Sequence, residues 1–341
     1  MINTNIKINR LAKTLTIITT YRCSASCINC CFECSPQRTE IISYENVVRN
    51  IDNTIKQFPN IRTLVLTGGE SLLNLDFVCR ILSYAKKYNL VCRVVTNGFW
   101  GKTEKVALEV LVRLKNVGLN ELNISTGDDH LEYVNIDRIR NCIKAALYLD
   151  IKTIINLESG NDRTFCIDDL NCCLKGLNEK DKLNYSVIKG MWMPFTEESL
   201  HKLKQIPKGF MHPVMERCVN IFSGITISPN NDLLSCCGLP VNYISFFNVG
   251  NLNIDDIETL YSRQFHDFLK IWLYVEGPYS ILSYVESQMN IEIPELRVLS
   301  HMCFYCAVLF TNNNYLSAVR KCYKKKYDSV MIKFYLLMKK R

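Results

Sequence analysis

The chain opens with MINTNIKINR, which lacks the apolar core of a secretory signal. No uninterrupted apolar run approaches the roughly 18 to 20 residues that span a bilayer. Low-complexity tracts and internal repeats are missing too, and the composition, 48% hydrophobic and 22% charged over 341 residues, is that of a globular protein. These absences set aside export, membrane insertion and repeat architecture. They lead to the expectation of a cytoplasmic protein, in a compartment that keeps thiols reduced. Disulfides are thereby set aside although the chain holds 17 cysteines. Clustered thiols in such a compartment bind metal or do chemistry. The helical recognition motifs, zinc-finger spacing and aromatic signatures of common nucleic-acid modules are also absent, so neither nucleic acid nor a membrane is an expected partner. The formal charge of +8 is modest, and much of it lies in VRKCYKKKYDSVMIKFYLLMKKR (319–341), read as a solvated terminal helix.

What the chain does have is a regular alternation. Runs rich in Val, Ile, Leu and Thr predict strands at Leu15–Thr19, Thr63–Thr67, Cys92–Thr96, Glu121–Ser125, Thr153–Leu157 and Asn184–Ile188. Such runs suit a parallel sheet buried on both faces. Between them, Tyr44–Phe58, Leu75–Tyr88 and Glu104–Val117 carry apolar residues at helical spacing. Six βα units in series predict an α/β fold, a partial (β/α)6 TIM-like barrel over residues 12–205. Its active site is then expected at the C-terminal ends of the strands. The alternation stops near residue 200, and a smaller domain is expected over 206–341, with a hairpin at GITISPNNDLLSCC and a distant CFYC.

Five cysteines crowd into CSASCINCCFEC (23–34), on the loop leaving the first strand. Cys23, Cys27 and Cys30 have the spacing C-x3-C-x2-C. Three thiolates on a [4Fe–4S] cube leave one corner open to a small molecule. A zinc site wants four closed ligands, which Cys31 or Cys34 could complete, so the spacing alone leaves both readings open. The motifs LTGGES, VVTNGFWG, LNISTGDDH and IINLES close the second to fifth strands. Together with the cysteine loop, the GGE motif makes the sequence resemble the radical S-adenosylmethionine (radical SAM) enzymes. The resemblance implies a [4Fe–4S] cluster on Cys23, Cys27 and Cys30 whose open iron chelates S-adenosyl-L-methionine. It also implies cleavage of that cofactor to a 5′-deoxyadenosyl radical, which takes a hydrogen atom from the substrate. Gly68, Gly69 and Glu70 would hold the amino group of the cofactor, and Ser125 and Asn156 its carboxylate or ribose. Two departures stand out. Asn29 replaces the aromatic residue often found before the third cysteine, leaving adenine packing to Phe32. Gly127 stands where the family has an acidic residue, with Asp128, Asp129 and His130 following.

Cys218, Cys236, Cys303 and Cys306 resemble the ligands of the auxiliary-cluster domain (SPASM or shortened twitch type) of peptide-modifying radical SAM enzymes, which implies one auxiliary [4Fe–4S] cluster. A zinc ribbon is the competing reading. Cys79, Cys92, Cys142, Cys166, Cys172, Cys173 and Cys322 read as small buried hydrophobes. The details CSASCINCCFECSP, TNGFWG, SCC and CFYCAVLF are similar to the epipeptide epimerases, which convert L-residues of a ribosomally synthesised precursor peptide to D. A hydrogen removed from Cα must then return to the opposite face, and the weak S–H bond of Cys237 suits that donation, with Cys236 as ligand. A thioether or carbon–carbon cross-linking maturase is the rival enzyme, and a non-catalytic metal-binding protein that recognises a peptide is the rival of another class. The resemblance also implies a reducing partner such as flavodoxin or ferredoxin. About a dozen residues precede the first strand, so recognition of a leader peptide is expected to use the barrel or the second domain.

Overall fold

The computed structural model describes residues 8–159, 164–176, 185–191, 216–238, 241–297 and 301–339. One nine-stranded sheet runs through it, in the order β6-β5-β4-β3-β2-β1-β7-β8-β9. Strands β1 (Thr14–Thr20), β2 (Thr63–Gly68), β3 (Val91–Thr96), β4 (Leu119–Thr126), β5 (Lys152–Ser159) and β6 (Tyr185–Met191) pair in sequence order, all parallel. Each expected strand start and end lies within three residues of the observed one. The sixth is the one expected strand whose start, Asn184, falls outside the described residues.

Helices follow the strands: α1 (Tyr44–Gln57), α2 (Leu75–Ala85), α3 (Glu104–Asn116), the short α4 (Asp128–Leu131), α5 (Ile136–Tyr148) and α6 (Ile167–Cys173). Their starts are fixed locally. Ser43 and Thr103 accept from the amides of Asn46 and Val106, relieving orphan N–H groups at the two helix ends. The strand residues beneath the helices (Leu64, Leu66, Val94, Leu122, Ile124 and Ile155) are fully buried. Burial of each such side chain stabilises the fold by about 1.5–3 kcal/mol. The alternate set, including Thr67, Arg93, Val95, Asn123, Ser125 and Asn156, is half-buried and lines the inner, open face. This is the partial barrel, with a further helical region at its C-terminal side.

The expected hairpin is present as β7 (Gly224–Ile227) and β8 (Asp232–Leu234), followed by β9 (Asn248–Asn251). It does not stand apart: β7 adds to the barrel sheet parallel to β1, with Thr14 opposite Gly224 and Ile17 opposite Ile227. A buried amide ladder fastens its turn. Asn50 on α1 donates to the Asn231 side chain at 2.7 Å, and Asn231 donates to Asn253 at 2.9 Å. The basic terminal segment also departs from expectation. It forms the helices Asn313–Cys322 and Lys324–Lys339, and Val330 and Phe334 are fully buried. Glu276 holds the last helix through Lys326 at 3.1 Å and Lys333 at 2.6 Å. Among the described residues no helix is long and apolar enough to cross a membrane.

Candidate active site

The ends of β1 and β2 are laced together by backbone. Gly69 N–H donates to the Thr20 carbonyl at 2.8 Å, and Glu70 N–H to the Arg22 carbonyl at 2.9 Å. A side chain at 69 would put its Cβ 2.1 Å from the Arg22 carbonyl oxygen, so only glycine lets the GGE turn lie against the start of the cysteine loop. Glu70 is 0% exposed. Its carboxylate accepts from Thr96 Oγ1 at 2.9 Å, Asn97 N at 2.7 Å and Leu72 N at 3.0 Å. Burial pushes this carboxyl up to about 7 against those hydrogen bonds. The GGE side chain therefore ties β2 to the TNG turn after β3, and it does not point outward.

That turn reaches the cysteines. Asn97 Nδ2 donates to Ser24 Oγ at 3.0 Å and approaches Cys23 Sγ at 3.7 Å. Cys34 N–H approaches Cys30 Sγ at 3.4 Å. The Cys34 thiol and amide hold Cys30 below the ordinary thiol range against the opposing effect of burial. Burial pushes Cys23 up to about 11 and Cys27 higher still. Two of the three sulfurs thus receive N–H groups of the kind that support metal-bound thiolates, and ionising the set needs a cation's charge.

Opposite this loop, at the ends of β4 and β5, lies a carboxylate network. Asp129 Oδ2 accepts from the Asn29 amide at 3.3 Å and its side chain at 3.2 Å. Glu158 accepts from Asp129 N at 2.9 Å and His130 N at 3.1 Å, and also pairs with the His130 ring. The departure at position 127 has its cause here. Gly127 has φ 134°, and a Cβ there would stand 2.4 Å from the Glu158 Cβ. The volume an acidic side chain at 127 would use is filled by the carboxylate arm of Glu158. Asp128 faces away, binding Thr164 and Phe165. Ser125 lies in register with Asn156 on the inner face, where Asn156 donates to Asn123 at 3.0 Å. Phe32, expected to pack the adenine, is buried with its ring tilted against that of Tyr21, centroids 6.3 Å apart.

Members of the second cysteine set lie within electrostatic reach of one another. Cys306 feels Cys218, Cys303 and Cys236, and Cys236 feels Cys218, Cys237 and Cys303, each neighbour adding to the upward push of burial on these thiols. Among the described residues no three metal-type side chains stand close enough to share one ion, so the case for a bound group rests on this clustering and its surroundings. Cys237 is exposed, next to buried Cys236. Desolvation by neighbouring protein raises its pKa, while the Arg93 guanidinium opposes the rise. Arg93 pairs with buried Glu121, which also takes Lys152 at 3.0 Å. Cys31 connects the two sets electrostatically, next to Cys30 and within reach of Cys237 and Cys303. Tyr243 OH donates to the Cys30 carbonyl at 2.7 Å, so the segment after Cys237 rests on the first loop. Of the cysteines expected in the core, Cys92, Cys142 and Cys322 are buried and Cys79 and Cys173 half-buried. Cys166 and Cys172, at the two ends of α6, are exposed, contrary to that expectation.

Residues 17–162 match the model of the radical SAM superfamily, and this part of the chain is a radical SAM domain. Within that class, the chain is 29% identical over 152 residues to Bacillus subtilis (strain 168) YydG, whose name assigns it to peptide biosynthesis. The match takes in 44% of this chain and 47% of YydG, so about half of that relative's length is spanned. Among solved structures, anSMEcpe with bound AdoMet and a Cp18Cys peptide has a TM-score of 0.55 at 10% identity, over 96% of this chain and 99% of that one. Native anSMEcpe with AdoMet gives 0.52 at 12% identity, over 73% and 80%. These likenesses concern the fold. Glu158, Asn97 and Tyr243 were missed as single residues by sequence reasoning, and Asp129 was named without a role, although INLES, GDDH and TNG were conspicuous as motifs.

Proposed function

We propose that the chain is a radical SAM peptide epimerase, converting L-residues of a ribosomally synthesised peptide to D. The observation that carries this reading is Cys237, an exposed thiol next to Cys236 and within electrostatic reach of Arg93 on the barrel's inner face. In this reading residues 12–205 form the catalytic barrel and 206–341 an auxiliary-cluster domain. Cys23, Cys27 and Cys30 hold one [4Fe–4S] cluster, and Cys218, Cys236, Cys303 and Cys306 a second. When bound, the first cluster and S-adenosyl-L-methionine supply the radical chemistry that removes a peptide Cα hydrogen.

The protein's part is positioning and hydrogen return. Gly68 and Gly69 bring the second strand's end against the cysteine loop, and Asp129 holds Asn29, one residue before Cys30. The inner-face pair Ser125 and Asn156 is where the cofactor's polar end would rest. Glu70 is assigned to fixing the turn that faces it, because its carboxylate is already taken by Thr96, Asn97 and Leu72. Cys237 then gives its hydrogen atom to the planar Cα: the S–H bond breaks and a new Cα–H bond forms. The sulfur is restored by one electron, from a flavodoxin- or ferredoxin-type donor, and one proton from water.

Anaerobic turnover with a precursor peptide tests this. The product should keep the substrate's mass and yield D-residues on hydrolysis. A product lighter by two mass units with only L-residues would instead support a cross-linking maturase and overturn the reading.

A further inference from the structure

The helix Phe268–Met289 is interrupted at Gly277, with φ 77° and ψ 166°, just before Pro278. A residue out of helical conformation followed by one without an N–H leaves carbonyls of the preceding turn without their usual partners. In that preceding turn, Leu273 C=O accepts from Cys218 N–H at 3.0 Å. A Cβ at Gly277 would lie 2.1 Å from the Glu216 carbonyl oxygen, and the positive φ already favours glycine. The break is thus the place where residues 216–218 cross the helix, and it anchors Cys218 through a carbonyl an unbroken helix would have used itself.

Lys270 lies on the same stripe, one turn before Leu273. It is 6% exposed, and its ammonium stands 5.0 Å from the centroid of the Phe246 ring. Asp267, the carboxylate near it, spends Oδ1 on capping the helix amides of Leu269 and Lys270. Cys236 is within electrostatic reach of the ammonium. Beside Cys218, Arg217 has Nη1 buried with no hydrogen-bond partner, and its guanidinium lies 5.6 Å from the Tyr274 ring. The buried Lys270 ammonium and the buried Nη1 of half-exposed Arg217 are costly unless something negative meets them. Four thiolates around an iron–sulfur cube would carry a net double negative charge.

We propose that Lys270, with Arg217, is the built-in counter-charge of an anionic tetrathiolate centre on Cys218, Cys236, Cys303 and Cys306, and that Lys270 raises its reduction potential. This rests on the auxiliary-cluster reading above. A nearby cation stabilises the more negative, reduced form, so removing it makes reduction harder.

The test uses the full chain with Cys23→Ala, Cys27→Ala and Cys30→Ala, so that only the second site can hold iron. After anaerobic reconstitution, the centre is titrated potentiometrically and followed by electron paramagnetic resonance, with and without Lys270→Met and Lys270→Arg. At the background protein's midpoint, Lys270→Met should lower the ratio of reduced to oxidised centre about tenfold, equivalent to ~59 mV for one electron. Lys270→Arg should stay close to the background. Equal iron content and an unchanged midpoint in Lys270→Met would overturn the counter-charge. Should Lys270→Met bind no iron, restored loading in Lys270→Arg supports the proposal and failed loading there overturns it. Absence of iron from the background protein would overturn the auxiliary-cluster reading itself, and the proposal with it.

Discussion

The two cysteine sites are built in opposite ways. Cys23, Cys27 and Cys30 come from one short loop, and the fold's work is to clamp that loop from three sides: the GGE turn below it, Asn97 from β3, and Asp129 from the end of β4. Cys218, Cys236, Cys303 and Cys306 come from three separate stretches of chain, and the fold must first bring those stretches together. It does so with a broken helix, a hairpin added to the barrel sheet, and helix Met302–Thr311, which carries the last two cysteines. A contiguous site announces itself in the sequence. The supporting residues of an assembled one look ordinary until the chain is folded.

The largest expected effect separates the sites outright. Replacing Cys23, Cys27 and Cys30 with alanine should abolish 5′-deoxyadenosine formation while leaving about half of the roughly eight irons two such clusters hold. Complete loss of iron would overturn the auxiliary-cluster reading.

Gly127→Ala should come next. The new Cβ meets Glu158 at 2.4 Å on a backbone with φ 134°. Strain and overpacking together should lower stability by about 4 kcal/mol. Urea unfolding of the apoprotein measures this, and adding Glu158→Gly, which removes the Cβ as well, should recover the overpacking share.

Glu70 gives a pH signature. Its folded pKa of about 7 lies above the ordinary carboxyl value near 4.3. The folded state therefore holds the extra proton between those values. The stabilisation is present below about pH 4.3 and is lost as pH rises through 7, a change of roughly 4 kcal/mol. Thermal unfolding of the apoprotein should fall off with rising pH more steeply than in Glu70→Gln, whose side chain does not titrate. Parallel pH profiles would contradict the assignment.

A smaller effect, about 2 kcal/mol for stranded donors, is expected of Asp129→Ala. Its more useful reading is local. In the apoprotein, Cys27 and Cys30 should alkylate faster, whereas Cys218 and Cys306 should not change. Asp129→Asn, which keeps an acceptor, should lie close to the parent protein.

The contiguous site was legible because each of its parts is a local pattern. Buried parallel strands read as Val, Ile and Leu runs, and the Gly68–Gly69 pair marks a close approach whatever surrounds it. What stayed hidden depends on register or on distant segments. That Glu158 fills the space above Gly127 follows only from β4 lying beside β5. That the hairpin joins the barrel follows from pairing Thr14 with Gly224 across the length of the chain. Lys270 reads as a surface lysine until the helix is broken at Gly277 and laid against Cys218. The terminal helix looked solvated because its many lysines obscure Val330 and Phe334, which share one buried face.

The most direct test of the epimerase account is turnover in D2O. A thiol hydrogen exchanges with solvent, so if Cys237 returns the hydrogen, each inverted residue should carry one deuterium at Cα, found by mass spectrometry and chiral analysis. Cys237→Ala should keep both iron complements and cleave S-adenosyl-L-methionine, yet release no D-residue. Deuterium-free D-residues from the parent enzyme, or normal inversion by Cys237→Ala, would contradict the account.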